Sequence, residues 1–176
     1  MLSIETEARV AKLFLTLADG EKAVEVNRQV LSEQIPFDPY AAFKRLDSQV
    51  KGRVDEFDIV EFLRVNSVYC SFNEARFIIF FYDTDRDGSL NYAEFLNLIL
   101  SDKNYSLKKM AERLGFTSRP TLPFDVEYSI SKLFERELDL VRSLDLALND
   151  VRSRYDFDVY NLYSSIQSYS YLTGEK

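Results

Sequence analysis

Two stretches of the chain place apolar residues at intervals that predict long amphipathic helices. In residues 124–154 the apolar positions recur at alternating steps of four and three, which puts them on one face of a helix. Residues 3–34 have a similar spacing, contain no proline and hold one interior glycine, Gly20. We call the two apolar faces the seams. Their positions are Val10, Phe14, Leu17, Glu21, Val24, Arg28 and Leu31 in the first stretch, and Ile130, Phe134, Glu137, Val141, Leu144, Leu148 and Val151 in the second.

The two helical stretches belong to an internal repeat. Shifting the sequence by 120 residues aligns 4–56 with 124–176 without a gap, and the tripeptide KLF occurs at both 12–14 and 132–134. Nine of the 53 aligned positions are identical, whereas chance would give about three. The chain therefore resembles one and a half copies of a single unit. This predicts either that the natural protein continues in tandem units or that the sequence is a fragment.

A dense acidic pattern lies between the repeats, at residues 83–94. The stretch DTDRDGSLNYAE fits the pattern D-x-[DN]-x-[DN]-G-x5-E without a mismatch. Oxygen atoms at this spacing can surround one Ca²⁺, and Gly88 permits the sharp turn that brings both ends of the loop together. The alternative is an acidic surface turn, since aspartate and glycine are common in turns. The candidate ligands are Asp83, Asp85, Asp87, Ser89, Asn91 and Glu94.

Helical patterns flank this loop. Residues 71–82 are apolar towards their end and carry a candidate cap at Ser71 or Asn73, and apolar residues recur at helical spacing in 95–99. The arrangement resembles an EF-hand, the helix–loop–helix calcium motif. The resemblance implies one Ca²⁺ bound by the six residues named above, and a second loop paired with this one through Leu90.

Thirty-six residues upstream, DSQVKGRVDEFD at 47–58 keeps the frame of the same loop and changes its chemistry. The spacing resembles a tandem EF-hand pair such as those of calmodulin, with Val54 opposite Leu90. Gln49 and Lys51 occupy ligand positions, so we expect Lys51 to form an ion pair with Asp47 or Asp58 in place of a metal. A weak Mg²⁺ or Ca²⁺ site made by Asp47, Asp55 and Asp58 is the alternative.

Together these patterns predict an all-α chain, an EF-hand pair flanked by long amphipathic helices. The predicted segments are a helix in 1–36, the EF-hand pair in 37–104, a short helix (106–114) and linker in 105–123, a helix in 124–154, and a half EF-hand-like tail in 155–176 that repeats 35–56 and binds nothing.

Composition narrows the function classes. The net charge of −7 and the lack of a long basic stretch argue against binding to nucleic acid or anionic membranes. The longest apolar run, 77–82, is too short to span a bilayer, and no signal peptide is visible. Cys70 is the single cysteine, which favours a reducing compartment, and the absence of histidine argues against an enzyme.

We therefore predict a calcium-binding protein that acts as a Ca²⁺-stabilised or Ca²⁺-modulated structural adaptor. A calmodulin-like sensor and an enzyme regulatory subunit are the alternatives; methionine only at Met1 and Met110 disfavours a promiscuous sensor groove. The expected partner is a protein, bound through the seams or the EF-hand groove, and the seams equally allow intramolecular packing, a homo-oligomer or a tandem array. The layout is similar to protist EF-hand arrays, which implies a cytoplasmic site, more narrowly the cytoskeleton or a cilium or flagellum.

Overall fold

The structure is a computed structural model that describes residues 2–35, 37–101, 103, 105–106, 108–109 and 121–173, with side chains through 167. The predicted all-α fold is confirmed: these residues form seven helices and no strand beyond a single bridged pair. Most of the predicted short helix at 106–114 and of the linker at 115–123 lies outside the described residues. The helices are α1 (Ile4–Ser32), α2 (Pro39–Leu46), α3 (Glu56–Val65), α4 (Phe72–Tyr82), α5 (Tyr92–Ile99), α6 (Phe124–Arg152) and α7 (Val159–Thr173).

The chain divides into two compact units. One, which we call the helical unit, is formed by Met1–Asp19 and Arg142–Lys176, and the other, the central unit, by Gly20–Val141. Both long helices therefore contribute residues to each unit. The central unit also contains α2 to α5 and both loops.

Short helices of the central unit begin at side chains that cap them. Asp38 accepts hydrogen bonds from the N–H groups of Tyr40 and Ala41 at the start of α2. The helices α3, α4 and α5 each begin with a capping box, in which the cap side chain and the side chain three residues later accept each other's backbone N–H. The predicted cap at Ser71 is confirmed. In α3 and α5 the cap residues are positions 9 and 12 of the preceding loop, so loop and helix share side chains.

A backbone bridge joins the two loops at Val54 and Leu90, the two residues that the EF-hand resemblance placed opposite each other. The N–H of Val54 donates to the carbonyl of Leu90 at 2.9 Å, and the N–H of Leu90 donates back at 2.8 Å. The bridge is antiparallel, and both side chains are fully buried. The loops are therefore fixed side by side, so a change in one loop reaches the other directly.

The core of the central unit is mainly aliphatic and also contains buried phenylalanine rings that contact each other. The rings of Phe43 and Phe95 lie 5.4 Å apart edge to face, and Phe62 lies 6.0 Å from Phe134 on α6. The long helix α6 thus covers Phe62, while Phe77 and Phe81 on α4 remain about half exposed. Gly20 lies against Leu140: a Cβ atom at position 20 would come within 2.3 Å of its side chain. A larger residue at position 20 would therefore require the Leu140 side chain to move.

The polar seam positions Arg28 and Glu137 pair with each other. The guanidinium of Arg28 lies 3.1 Å from the Glu137 carboxylate, and both side chains are buried. Tyr82 donates its hydroxyl hydrogen to Glu137 at 2.5 Å, and Arg28 also bonds to Tyr82 and to the carbonyl of Leu98. The two polar residues in otherwise apolar seams therefore bond to each other, as buried polar groups generally do.

Hydrogen bonds to the turn before α7 stabilise the helical unit. The Asp156 carboxylate accepts hydrogen bonds from the N–H of Ser3 at 2.7 Å and the hydroxyl of Thr6 at 2.6 Å. Arg9 bonds to Asp150 at 2.5 Å, which holds the first turns of α1 against the end of α6. The unit therefore depends on polar contacts made by the beginning and end of the described chain.

Helix bounds follow the 120-residue repeat. The helices α1 and α6 both contain 29 residues and begin 120 residues apart, as α2 and α7 also do. The turns at 33–38 and 153–158 have matching backbone bonds, for example Phe37 N–H to Gln34 and Phe157 N–H to Arg154. The tail differs from the predicted loop, because α7 continues to Thr173 whereas α2 ends at Leu46. Gln167 stands where Asp47 turns the first loop by accepting backbone N–H groups.

Candidate metal centre

The second loop, residues 83–94, is curled by its own carboxylates. Asp83 follows the end of α4 and accepts hydrogen bonds from the N–H of Asp87 at 3.2 Å and of Gly88 at 2.9 Å. Asp87 in turn accepts the N–H and the hydroxyl of Ser89 at 2.8 and 2.6 Å. Each aspartate thus turns the backbone by bonding to residues a few positions ahead, which is the usual behaviour of this side chain.

Two residues of this loop have left-handed backbone angles. Arg86 has a φ of 60° and Gly88 a φ of 84°. A Cβ at position 88 would meet no atom within 4 Å, so the backbone angle, rather than lack of space, favours glycine. The first loop repeats the pattern at the same two positions, with φ of 57° at Val50 and 77° at Gly52. The two loops therefore share one backbone shape.

Three of the predicted ligands come together. Asp83, Asp85 and Asp87 each place one carboxylate oxygen within 4.8 Å of the others. The N–H of Asp87 lowers the pKa of Asp85, but desolvation and the charges of Asp87, Glu94 and Asp83 outweigh it, and the net pKa is raised. In the described part of the chain no ion pair joins a basic side chain to these three residues. No basic side chain among the described residues therefore contacts the three carboxylates, although the hydrogen bonds from Ser89 and the charge of Arg53 lower the pKa of Asp87.

The other predicted ligands have local partners. Glu94 is buried, and its carboxylate accepts the N–H and hydroxyl of Thr84 at 2.8 and 2.7 Å and the N–H of Asn91 at 3.0 Å. Burial raises its pKa, but these hydrogen bonds, with Thr84 first, outweigh burial and lower it. Asn91 caps α5 through Glu94 N–H, and Ser89 bonds to Asp87. These hydrogen bonds hold the Glu94 carboxylate in place and favour its ionised form at the end of the loop that contains the three aspartates.

The first loop, residues 47–58, contains a lysine where the second has an aspartate. The ammonium of Lys51 lies 2.5 Å from Asp55 and 2.8 Å from Asp58. The predicted pairing with Asp58 is confirmed. The alternative partner Asp47 is wrong, because its two oxygens accept the N–H groups of Lys51 and Gly52 instead. Asp55 was missed as a partner of Lys51, because residues 51–55 precede α3 and the pairing rule for residues four apart in a helix does not apply there.

The pKa values of the first loop reflect this ion pair. Desolvation lowers the pKa of Lys51, but hydrogen bonds to Asp55 and Asp58 outweigh it and raise the pKa. Desolvation raises the pKa of Asp55, and the bond from Lys51 reverses this and lowers it. For Asp58, desolvation leads and the pKa is raised. Lys51 therefore stays protonated between two acidic side chains.

The acidic cluster of the second loop fits a divalent cation. Carboxylate oxygens are the ligands that Ca²⁺ and Mg²⁺ prefer, and three of them converge with no basic side chain in contact. Asp83, Asp85 and Asp87 would hold the ion, and Glu94 lies at the other end of the loop. Among the described residues no other group of three acidic, cysteine or histidine side chains lies close enough to hold a metal, and this includes Asp47, Asp55 and Asp58.

Sequence reasoning did not identify Tyr82 as a structural link to the second loop. Tyr82 directly precedes Asp83 and donates to Glu137, so the loop is attached at its entry to α6. Burial raises the pKa of Glu137 to about 7, against the opposing effects of Tyr82 and Arg28. Burial also raises the pKa of Tyr82, so its hydroxyl keeps its proton. The sequence offered one indication of this contact, the polar residues Arg28 and Glu137 in otherwise apolar seams.

Comparisons with protein-family models, with curated proteins and with solved structures give no match to this chain. The geometry of the loops is therefore the basis for a functional proposal.

Proposed function

We propose that the chain is a calcium-binding EF-hand protein with one Ca²⁺ site, in the loop 83–94. The observation that carries the proposal is the contrast between two loops of one backbone shape. The first is neutralised internally by Lys51. The second brings Asp83, Asp85 and Asp87 together with no basic side chain in contact within the described residues. A bound divalent cation would supply in the second loop the charge that Lys51 supplies in the first.

We further propose a structural, adaptor-type role, in which Ca²⁺ stabilises the fold or modulates partner binding. Phe62 and Phe95 are buried in the central unit, and Phe134 of α6 lies against Phe62. This packing supports a unit whose apolar interior is already covered by a long helix. Among the described residues no helix combines the length and apolar character that crossing a membrane would require.

The second candidate is a sensor that opens to grip target helices. It is favoured by exposed aromatic side chains on α3 and α4, among which the rings of Phe57 and Phe72 lie 4.9 Å apart and those of Phe80 and Phe81 lie 6.3 Å apart. They are Phe57, Phe72, Phe77, Phe80 and Phe81. A surface of this kind is often a protein-binding site.

Titration calorimetry of the full chain with Ca²⁺ tests the proposal. We expect one site per chain, and we expect Asp85→Asn to weaken it strongly, because a neutral amide competes poorly for a hard cation. Asp139→Asn is the matched control, since it removes the same charge from an exposed position on α6. Two or more sites of similar affinity, or an unchanged affinity in Asp85→Asn, would contradict the proposal.

A second measurement uses tyrosine as an antenna. Tyr82 and Tyr92 lie directly before and within the second loop. Tb³⁺ bound in that loop is expected to emit when tyrosine is excited, and excess Ca²⁺ is expected to abolish the emission. No sensitised emission at saturating Tb³⁺ would count against the site.

A further inference from the structure

Helix α4 is apolar on two opposite faces. Its inner face places Ala75, Ile78 and Ile79 in the core of the central unit. Six of its residues are exposed, and four of these six are phenylalanines. They are Phe72, Phe77, Phe80 and Phe81. A helix that is apolar all round is normally buried all round. The exposed rings of α4 therefore indicate a surface that is covered in an assembly.

The equivalent helix of the first loop lacks exposed rings. Helix α2 enters the first loop as α4 enters the second, and the single exposed residue within Pro39–Leu46 is Lys44. Its Phe43 is 5% exposed, whereas Phe80 of α4 is 68% exposed and Phe77 is 51% exposed. Exposed rings are thus not a requirement of a helix that enters such a loop, and those of α4 need a separate explanation.

The exposed rings of α4 form one surface with α3. The ring of Phe57 on α3 lies 4.9 Å from that of Phe72, and the rings of Phe80 and Phe81 lie 6.3 Å apart. Phe77 lies one turn before Phe80 and Phe81 on the same side of the helix. We call this surface the phenylalanine face. Its members are Phe57, Phe72, Phe77, Phe80 and Phe81.

The charged side chains around the phenylalanine face balance one another. Arg76 pairs with Glu56 at 3.0 Å, and Arg64 pairs with Glu61 at 2.7 Å. Every charged residue that α3 and α4 expose belongs to one of these two ion pairs. Two copies of the face can therefore approach each other without repulsion between like charges, although the whole chain has a net charge of −7.

We propose that the phenylalanine face binds a second copy of this chain and forms a symmetric dimer. The exposed positions of α4 are symmetric about the midpoint between 76 and 77: they are 72, 73, 76, 77, 80 and 81. A two-fold axis at that point brings Phe72 opposite Phe81 of the second copy, so the two α4 helices run antiparallel. It also brings Arg76 over the ring of Phe77 of the second copy, a favourable contact for a guanidinium.

The size of the phenylalanine face fits a dimer. A fully buried aromatic side chain removes about 150–250 Å² from water, so five rings that are about half exposed supply roughly 500 Å². A standard interface takes about 800 Å² from each chain, and the charged residues at the border supply much of the difference. An apolar centre within a polar border is the usual composition of an interface. An anionic membrane would instead require a border with an excess of basic residues.

Analytical ultracentrifugation of the full chain in excess EDTA tests the proposal. We expect a monomer–dimer equilibrium whose dissociation constant rises about tenfold or more in Phe80→Glu, as for a buried aromatic anchor. Leu146→Glu is the matched control, because Leu146 is an exposed apolar residue of α6 outside the phenylalanine face. Phe77→Glu repeats the test at a second exposed ring, and circular dichroism of each variant checks that helix content is unchanged.

Cross-linking tests the antiparallel arrangement. In a chain with Cys70→Ala, Arg76→Cys places a thiol beside the two-fold axis and therefore next to the same position of the second copy. Asn73→Cys places its thiol opposite position 80 of the second copy instead. Mild oxidation is expected to give several-fold more disulfide-linked dimer with Arg76→Cys than with Asn73→Cys. Both substitutions are at exposed positions and leave all five rings in place.

Four outcomes would overturn the proposal. The first is a chain that remains monomeric in EDTA up to about 1 mM. The second is a dimer that Phe80→Glu and Leu146→Glu affect equally. The third is a dimer that is abolished by Phe14→Glu, at an exposed residue of α1, which would assign self-association to the helical unit. The fourth is equal cross-linking at positions 73 and 76.

The dimer goes beyond the proposed Ca²⁺ site and does not depend on it. Ultracentrifugation in EDTA measures self-association without the ion, and calorimetry measures the ion without reference to the dimer. The failures of the two proposals are therefore distinguishable.

Discussion

The two loops of the central unit have the same backbone and opposite charges at their fifth position. Lys51 of the first loop bonds to Asp55 and Asp58, whereas Asp87 of the second adds a third carboxylate to Asp83 and Asp85. Left-handed residues occur at positions 4 and 6 of both. Loop shape is thus retained without the ligands, because backbone hydrogen bonds to the first aspartate and the Val54–Leu90 bridge maintain it.

The loops also differ in how their entering helices are anchored. Helix α2 ends at the buried apolar Leu46, whereas α4 ends at Tyr82, which bonds to the buried Glu137 and Arg28. Both helices make polar contacts with α6, because Arg45 of α2 pairs with Glu127, but at the second loop the residue directly before the loop itself belongs to the polar network. A loop that binds a metal needs an entry fixed in position, and a hydrogen-bonded anchor is more directional than an apolar one.

The largest expected effect comes from giving the second loop the charge of the first. In Asp87→Lys the ammonium would lie among Asp83, Asp85 and Glu94, so we expect Ca²⁺ affinity to fall about a thousandfold or more, or roughly 4 kcal/mol. Calorimetry measures the loss, and Asp139→Lys, which makes the same change of two charges at an exposed position on α6, serves as the charge control. If the variant still binds Ca²⁺ as tightly as the parent, the charge at position 5 does not distinguish a binding loop from a non-binding loop.

The next effect concerns position 12. Glu94→Gln exchanges a carboxylate for an amide of the same shape, and we expect a roughly hundredfold loss of Ca²⁺ affinity. The amide oxygen can still accept from Thr84, so helix content is expected to remain. Unchanged affinity would show that Glu94 acts as a cap of α5 and not as a ligand.

Much of the fold was predictable from the sequence, because its determinants are local or periodic. The 120-residue repeat and the capping residues gave the bounds of the long helices and the start of α4. The continuation of α7 to Thr173 was not predictable from the repeat, since it follows from losing Asp47's hydrogen bonds at Gln167. The ion pair of Lys51 within the first loop was predicted. Its partner Asp55 was missed, because only the folded capping box shows where the Asp55 carboxylate lies.

For the candidate site, the sequence predicted the cluster of aspartates but not the contact that links the loop to α6. Asp83, Asp85 and Asp87 are close because they are neighbours in one loop. The contact between Tyr82 and Glu137 joins residues 55 positions apart. Rules based on residue spacing apply to positions a few residues apart. The two side chains come together only because α4 and α6 pack against each other in the folded central unit.

Ca²⁺ binding by one loop is expected to stabilise the pair more than it changes its shape. At a concentration 100 times its dissociation constant, a ligand specific for the folded state adds about 2.7 kcal/mol. Melting curves with Ca²⁺ and with chelator measure this gain, and hydrophobic-dye binding measures exposed apolar surface. We expect a higher melting temperature with little change in dye binding. A strong rise in dye binding with Ca²⁺ would favour the opening sensor.

The polar anchor of the second loop predicts a pH dependence. Burial raises the pKa of Glu137 to about 7 from an ordinary 4.5, so the folded chain binds more protons than the unfolded chain between these values. Stability from this group is therefore greatest at low pH and falls as pH rises from about 4.5 to about 7, by on the order of 2 kcal/mol. The chain has no histidine, which leaves few other groups titrating there.

Denaturant unfolding in EDTA at several pH values from 5 to 8 measures this dependence. Glu137→Gln should flatten it, because the amide keeps a hydrogen-bond acceptor for Tyr82 and does not titrate. Asp139→Asn, at an exposed acid on the same helix, is the control and should retain the parent slope. Stability that rises across this range in the parent would show that Arg28 keeps Glu137 ionised throughout.

The smallest effect tests the first loop without metal. Lys51→Met shortens the side chain by one atom only and removes the ammonium from Asp55 and Asp58. Because Asp58 is buried, the loss of its charged partner is expected to destabilise the EDTA-treated chain by about 1–2 kcal/mol. Since the Val54–Leu90 bridge couples the loops, Ca²⁺ affinity of the second loop should fall slightly as well. Lys132→Met, on an exposed ion pair of α6, should change stability by less than about 0.5 kcal/mol. A Lys51→Met chain as stable as the parent would mean that the lysine replaces no ion, and that backbone hydrogen bonds alone hold the first loop in its metal-loop shape.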